Sequence, residues 1–252
     1  MNWLSYLRLP SRLKRLSCCC KKKLIKTNSK QDIISDTDPS SIMSWNIQGL
    51  FCYTTPLKVK NIIEYIKLLN YDVVCLQEVF EDWIKEEFIK ELNNNYPYYL
   101  LGNTKKKYIF GEDSGLLILS KYRINFIDEY LIEGCVLPDS LCEKTVIYFT
   151  IGDINFSTTH LQANNYDISE KQIKEILNRS PFEKFIITGD LNHESADKIL
   201  NVKNNNIKNT WENMILDYII PINLNESKFT IDVINIDLKD VTDHLPICLK
   251  IN

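Results

Sequence analysis

The chain has 252 residues, of which 44% are hydrophobic and 25% charged, and it contains only seven glycines and eight prolines. This composition excludes a fibrous or low-complexity protein, and the length allows one large α/β domain or two smaller ones. Residues 1–30 carry nine basic and no acidic side chains, which leaves 21 basic and 33 acidic side chains for the remainder. The acidic body argues mildly against a protein that tracks long stretches of nucleic acid, because such proteins present a basic face.

Residues 1–40 form a basic N-terminal arm and linker in which the adjacent Cys18, Cys19 and Cys20 precede three lysines. Acyl chains on these cysteines and the polybasic patch would together supply the two signals that stable membrane attachment requires. We therefore expect palmitoylation and a cytoplasmic protein attached to a phospholipid membrane surface; the alternative is a basic tail whose cysteines have no role. No stretch approaches the roughly 20 apolar residues that span a bilayer, and the remaining scattered cysteines indicate a reducing compartment.

From Ser41 onward, apolar runs of strand length alternate with segments of helical periodicity. Strands are predicted at 42–45, 72–77, 114–120, 145–151, 154–160 and 185–190, and near 215–220, 229–236 and 246–251. Helices are predicted around 59–69, 84–92 and 169–177. In the last of these, the spacing of Ser169 and Gln172 is typical of a capping box. This order predicts two packed mixed sheets with helices on both outer faces, in one domain over 41–252.

Polar residues are placed where the predicted strands end, so that the sheet would present them to a cleft. These residues are Asn46, Glu78, His160 and Asp190. Asn192 follows Asp190 closely, and Asp243 and His244 stand just before the last predicted strand. In addition, Asp217 lies within the apolar run MILDYII, where an unpaired carboxylate would be costly to bury. The set suits the hydrolysis of a phosphodiester bond assisted by a hard divalent cation.

Glu78 is the first choice as ligand of Mg²⁺ or Mn²⁺, with support from Asn46 and Asp243. Asp190 is predicted to take the proton of the attacking water, which Asn192 would orient.

The two histidines, His160 and His244, are predicted to stabilise the phosphoryl oxygens of the transition state, and either one is a candidate to protonate the leaving oxygen. Asp217 would fix the tautomer of His244 and favour its charged form. His193 is interpreted as a helix-start residue, and the lysine run 105–107 as a solvated loop.

Six motifs carry a resemblance to the endonuclease/exonuclease/phosphatase superfamily, closest to its neutral sphingomyelinase-like phosphodiesterases. In chain order they are SWNIQGL (44–50), LQEV (76–79), TTHLQA (158–163), GDLN (189–192), LDYI (216–219) and TDHLPI (242–247). The resemblance implies a four-layer αββα sandwich that uses Mg²⁺ to cleave phosphodiesters or phosphomonoesters.

The same resemblance assigns Glu78 to the metal and the pair Asp190 and Asn192 to water activation. It makes Asp217 and His244 the Asp–His couple, and His160 is shared with secreted deoxyribonucleases and sphingomyelinases. Only 27 positions separate Asp190 from Asp217, so loops that shape the substrate surface are expected to be short.

The substrate stays open at this point. A phospholipid headgroup hydrolysed by a monomeric, membrane-associated enzyme is favoured by the basic arm and by the motifs that resemble sphingomyelinases. A nuclease or DNA-repair phosphodiesterase, for which the arm would contact nucleic acid, is the main alternative, and a phosphoinositide phosphatase is another. A binding scaffold without catalysis is disfavoured because the acidic and histidine residues of the motifs are intact.

Overall fold

The computed structural model describes residues 37–50, 52–102, 112–202 and 208–252. The predicted acylation sites Cys18, Cys19 and Cys20 and the lysine run 105–107 lie outside the described residues. Within these ranges no helix is both long enough and apolar enough to cross a membrane.

The first sheet has six strands in the order β10-β11-β1-β2-β4-β3. Its members are β1 (Ser41–Asn46), β2 (Val73–Gln77), β3 (Tyr98–Leu101), β4 (Leu117–Ser120), β10 (Phe229–Val233) and β11 (Ile247–Ile251). β1 and β2 are parallel and the other pairs are antiparallel, so the sheet is mixed. The two parallel strands lie at its centre, and both end at the same edge.

The second sheet has five strands in the order β5-β6-β7-β8-β9. They are β5 (Asn125–Leu131), β6 (Thr145–Ile151), β7 (Ile154–His160), β8 (Phe185–Asp190) and β9 (Asp217–Ile222). Here β7 and β8 are the parallel pair. This sheet therefore also brings the carboxyl ends of two neighbouring strands to one edge.

In the described part of the chain, four α-helices connect these strands: α1 (Pro56–Leu69), α2 (Asp82–Leu92), α3 (Tyr166–Arg179) and α4 (Ala196–Ile199). α1 begins with Pro56 after Thr55, whose side chain accepts a hydrogen bond from the Lys58 amide, as expected of an N-cap. It ends at Asn70, whose backbone is left-handed with φ 52°. These local signals account for both ends of the helix.

Three buried apolar clusters separate the layers. The first packs α1 and α2 on one sheet through residues such as Trp45 and Phe88, and the second joins the two sheets through Phe149 and Phe156. The third packs α3 on the second sheet, with Tyr148 fully buried. Each sheet is covered on both faces at its centre, so its central strands, such as β2 and β8, are almost continuously buried. The predicted αββα sandwich is confirmed.

The capping box predicted at Ser169 and Gln172 is wrong. α3 begins three residues earlier, and the side chain of Asn165 caps it by accepting from the Ile168 amide at 3.2 Å. Gln172 instead lies buried inside the helix, where its Oε1 accepts from the Gln162 amide at 2.9 Å. The Gln172 side chain therefore makes a contact outside the helix and does not cap the helix end.

Two edge strands, β3 and β5, were not predicted, and the segment 114–120 forms a strand only from Leu117. β5 carries several exposed residues, among them Asn125 and Asp128, so its apolar alternation is weak. Gly115 has a left-handed backbone with φ 63°, which bends the chain before β4 begins.

Candidate active site

The predicted site residues meet where the parallel strands of the two sheets end. In the second sheet, His160, Asp190 and Asp217 lie side by side on β7, β8 and β9, because the register pairs His160 with Asp190 and Asp190 with Asp217. In the first sheet, Asn46 ends β1 and Glu78 follows directly after β2. Packing of one sheet on the other brings the two groups together.

The Asn46 side chain joins the carboxylates of the two sheets. Its Nδ2 donates to Glu78 Oε1 at 2.8 Å and to Asp190 Oδ2 at 3.0 Å. The same Asp190 oxygen lies 3.8 Å from His160 Nε2 and 4.0 Å from His244 Nε2. Asp190 is therefore at the centre of the cluster, within reach of both histidines.

His244 and Asp217 form a buried couple. His244 Nδ1 lies 2.8 Å from Asp217 Oδ2, and Asp217 is fully buried. The main chain of His244 is held by Trp45, whose Nε1 donates to its carbonyl oxygen at 2.9 Å. Burial lowers the pKa of His244, but the charge and hydrogen bond of Asp217 outweigh it and raise this pKa to about 10. These interactions favour the imidazolium form of His244, whose Nε2 lies 4.0 Å from Asp190 Oδ2.

His160 has the opposite protonation state. Burial, followed by the positive charges of Lys144 and His244, holds the pKa of His160 well below its usual range. Its Nε2 lies 3.9 Å from Glu78 Oε1, and its buried Nδ1 has no hydrogen-bond partner among the described residues. The site thus contains one charged and one neutral histidine, which differ in what they offer a substrate.

Glu78 is presented by a tight turn. Its backbone is left-handed with φ 59°, an uncommon conformation for a residue with a side chain and one typical of functional sites. A Cβ on Gly49 would lie 2.2 Å from the Glu78 carbonyl oxygen, so only glycine fits there. Burial raises the pKa of Glu78, and the hydrogen bond from Asn46 opposes this effect.

The donor set fits a hard divalent cation at Glu78. Its Oε2 is buried without a hydrogen-bond partner among the described residues, and a buried carboxylate oxygen requires a donor or a cation. Another group, Asp190, Asp217 and His244, brings potential ligand atoms within 4.8 Å of one another. In that group, His244 Nδ1 and Asp217 Oδ2 are already paired with each other at 2.8 Å.

Asp190 and Asn192 are held together by local hydrogen bonds. The Asn192 amide donates to Asp190 Oδ1 at 3.0 Å, and its Nδ2 donates to the Leu161 carbonyl at 3.0 Å. Burial and the nearby negative charge of Asp217 raise the pKa of Asp190 to about 7. The two hydrogen bonds made by Asn192 fix the turn after β8. Its role in orienting water stays a prediction.

Asp243 lies at the mouth of the cluster. Its side chain is 42% exposed, and its Oδ1 is 4.0 Å from His244 Nε2. Oδ2 accepts from Gln48 Nε2 at 2.9 Å and from Trp211 Nε1 at 3.2 Å. Asp243 is thus shared between the cluster and its rim, and its role as a metal ligand stays a prediction.

Three residues near the site were not predicted: Gln48, Lys58 and Trp211. Lys58 Nζ donates to the Gln48 carbonyl at 2.9 Å and to its Oε1 at 3.0 Å. Burial lowers the pKa of Lys58. Gln48 lies within the SWNIQGL motif, so the sequence contained a signal for it. Nothing in the local sequence distinguished Lys58 as a site residue. As predicted, His193 serves a helix start: its Nδ1 accepts from the Ser195 amide at 3.1 Å, one residue before α4.

The two sheets, their outer helices and the buried cluster of acidic and histidine residues at the strand ends define an αββα sandwich with a candidate active site. The chain belongs to the Endonuclease/Exonuclease/phosphatase family, whose sequence profile matches residues 43–221. The resemblance inferred from the six motifs is confirmed.

Three curated relatives are informative. The chain is 28% identical to sphingomyelinase C of Bacillus cereus over 213 residues, covering 71% of this chain and 61% of that protein. It is 24% identical to tyrosyl-DNA phosphodiesterase 2 of Xenopus tropicalis over 204 residues, covering 74% and 50%. It is 33% identical to a sphingomyelinase of Dictyostelium discoideum over 114 residues, covering 38% and 25%. The chain therefore spans between a quarter and about three-fifths of the length of these relatives.

Solved structures share the fold. Beta toxin from Staphylococcus aureus, in a crystal structure with bound magnesium ions, superposes with a TM-score of 0.70 at 19% identity. The match covers 85% of this chain and 100% of that one. Sphingomyelinase C from Streptomyces griseocarneus gives a TM-score of 0.67 at 16% identity, over 86% and 100% of the two chains.

Proposed function

We propose that this chain is a divalent-metal-dependent phosphodiesterase that hydrolyses a phospholipid headgroup, with sphingomyelin as the model substrate, at a membrane surface. The observation that carries the chemistry is that two histidines face the same buried carboxylate oxygen: Nε2 of His244 and Nε2 of His160 lie 4.0 and 3.8 Å from Asp190 Oδ2. The surroundings raise the pKa of His244 and lower that of His160, so the two rings differ in their readiness to donate a proton. Such a cluster can remove a proton from an attacking water and supply a proton to a leaving oxygen.

Glu78, with Asn46 and Asp243, is the proposed binding site for Mg²⁺ or Mn²⁺. A cation bound there would neutralise charge that develops on the phosphoryl oxygens. Oxygen ligands of this kind suit these hard cations. Glu78 Oε2 is buried and has no hydrogen-bond partner in the part of the chain that the structure describes, which supports this assignment.

Asp190 is proposed to accept the proton of the attacking water, and Asn192 keeps its carboxylate in place through the bond to Oδ1. His244 is proposed to donate the proton on Nε2 to the leaving alkoxide, while Asp217 holds Nδ1. A pKa of about 10 keeps this proton in place at neutral pH and still allows its transfer to a strongly basic alkoxide. The neutral ring of His160 can donate one hydrogen bond to a phosphoryl oxygen.

The lipid substrate is supported by the sphingomyelinase relatives and by the charge distribution of the chain. Residues 1–30 have nine basic and no acidic side chains, which suits an anionic membrane surface. The rest of the chain is acidic, which would repel a long nucleic acid. It is compatible with a lipid substrate that is reached at the membrane surface. We propose that Cys18, Cys19 and Cys20 are acylated and that the enzyme acts as a monomer on the cytoplasmic side.

A DNA phosphodiester is the second candidate. It is favoured by the alignment with tyrosyl-DNA phosphodiesterase 2, which covers 74% of this chain. In this case the basic arm would contact nucleic acid, and the three adjacent cysteines would have no role.

Purified full-length protein should be assayed with Mg²⁺ for release of phosphocholine from sphingomyelin vesicles, and in parallel for nicking of plasmid DNA and cleavage of a tyrosyl-DNA conjugate. The lipid assignment predicts activity on the vesicles that is lost with EDTA and in His244→Ala. Activity on DNA alone would refute the lipid substrate and favour the second candidate. Activity of His244→Ala equal to that of the parent on either substrate would refute the site assignment.

Membrane attachment is tested separately. A variant with serine at Cys18, Cys19 and Cys20 is expected to move from the membrane to the soluble fraction of cells, with vesicle hydrolysis by the purified protein retained. Full membrane retention of this variant would exclude acylation as the anchor.

A further inference from the structure

Lys85 is a buried lysine whose position is unfavourable for a helix. It is the fourth residue of α2 and is 7% exposed. Side chains of a helix lean towards its N-terminus, so the ammonium group lies near the end where the helix dipole repels cations. A buried cation at this end has to be offset by specific oxygen partners.

Among the described residues, three oxygens lie close to the Lys85 ammonium. Nζ lies 2.5 Å from Asp113 Oδ2, 3.0 Å from the Phe80 carbonyl oxygen and 3.9 Å from Asp82 Oδ1. Asp113 is 8% exposed, so the closest contact is a nearly buried ion pair. The ammonium group therefore ties a main-chain carbonyl of the segment 78–80 to a carboxylate on the chain segment before β4.

The other oxygen of Asp113 is connected by hydrogen bonds to the segment that carries Glu78, the proposed metal ligand. Asp113 Oδ1 accepts from the Gly115 amide at 3.0 Å, and the Gly115 carbonyl accepts from the Val79 amide at 2.8 Å. A Cβ on Gly115 would lie 2.7 Å from the Phe80 ring and 3.1 Å from the Glu78 Cα. These bonds and contacts close a loop around the left-handed turn that carries Glu78.

We propose that Lys85 and Asp113 together are positioning residues that hold the turn at Glu78 in the conformation that binds the divalent cation. The inference rests on the proposed role of Glu78 as metal ligand. Lys85 acts through the carbonyl of Phe80 and does not touch the substrate. The opposing interpretation is that the ion pair only stabilises the fold.

The test is direct Mg²⁺ binding, measured by isothermal titration calorimetry on the full chain, for Lys85→Met, Asp113→Asn and the double variant. Residues that orient a metal ligand typically change metal affinity by about tenfold to a hundredfold, and we expect a loss in this range for each single variant. The double variant should bind no more weakly than either single variant, because both changes open the same loop. Lys90→Met, at an exposed lysine of the same helix, is the matched control and should bind as the parent does.

The outcomes separate the two interpretations. Unchanged Mg²⁺ affinity in folded variants, with only a lower melting temperature, would overturn the positioning role and leave the proposed function intact. If the parent itself binds no Mg²⁺, the metal assignment of Glu78 fails and the role of Lys85 fails with it. Each single variant leaves one buried charge uncompensated and risks misfolding. The double variant removes both charges, so its affinity decides the question if neither single variant folds.

Discussion

Replacement of Asp217 by asparagine should convert His244 from a charged to a neutral ring. Asp217 Oδ2 lies 2.8 Å from His244 Nδ1 and is its main source of stabilising charge. A pKa of about 10, against an ordinary 6.5, corresponds to about 5 kcal/mol of preference for the imidazolium. Without the carboxylate, burial dominates and the pKa should fall below 6.5.

The expected effect on catalysis depends on pH and on the leaving group. A positioned general acid contributes about 10²- to 10⁴-fold, and the variant should lose activity in this range at pH 7.5 on a substrate with an alkoxide leaving group. The loss relative to the parent should shrink towards pH 5.5, where the ring regains its proton. It should also be smaller for an aryl phosphodiester, because a phenolate leaves without protonation.

The assays are the ratio of kcat values across this pH range and an NMR titration of the His244 ring. Asp167→Asn, at an exposed residue of α3, serves as control. A ratio that is constant with pH and equal for both leaving groups would refute the role of His244 as an acid. An NMR pKa that stays near 10 in the variant would refute the electrostatic account of the couple.

The couple should also make stability depend on pH. The pKa of His244 is higher in the folded than in the unfolded chain, so its contribution to the free energy of unfolding is complete below about pH 6.5. That contribution is lost as the pH rises through about 10. The free energies of unfolding of the parent and of Asp217→Asn, measured by chemical denaturation between these pH values, should converge at the alkaline end.

Three further changes test other parts of the site. Glu78→Gln should abolish the stabilisation by Mg²⁺, which in the parent should reach about 2.7 kcal/mol at a hundredfold excess over Kd, measured by thermal melting with and without EDTA. Asp190→Asn should inactivate the enzyme but raise the melting temperature of the metal-free protein. Because the pKa of Asp190 is raised from 3.8 to about 7, this gain should grow between those pH values, and a gain independent of pH would contradict the account. Gly189→Ala should destabilise the fold severely, since its Cβ would lie 1.9 Å from the Thr159 carbonyl oxygen. A melting temperature equal to that of the parent would show that β7 and β8 can separate locally around this position.

Much of the architecture was available from local patterns. A strand buried on both faces is a short apolar run, and an amphipathic helix repeats every three to four residues, so the central strands and the three longer helices were predicted. The polar residues that end such strands were predicted as the site for the same reason. Edge strands such as β5 lack this signal because exposed side chains interrupt their apolar pattern.

The sequence by itself determined which residues stand at the ends of the strands, because side-chain alternation and strand termination are local properties. The tertiary structure decided which of them touch. It alone places the Asn46 amide between carboxylates of two sheets and charges one histidine while leaving the other neutral. It also turns Gln172 from a helix cap into a tertiary contact and encloses Lys85 among three oxygens. Protonation and buried pairing depend on distances between residues far apart in the chain, and those distances exist only once the two sheets have packed.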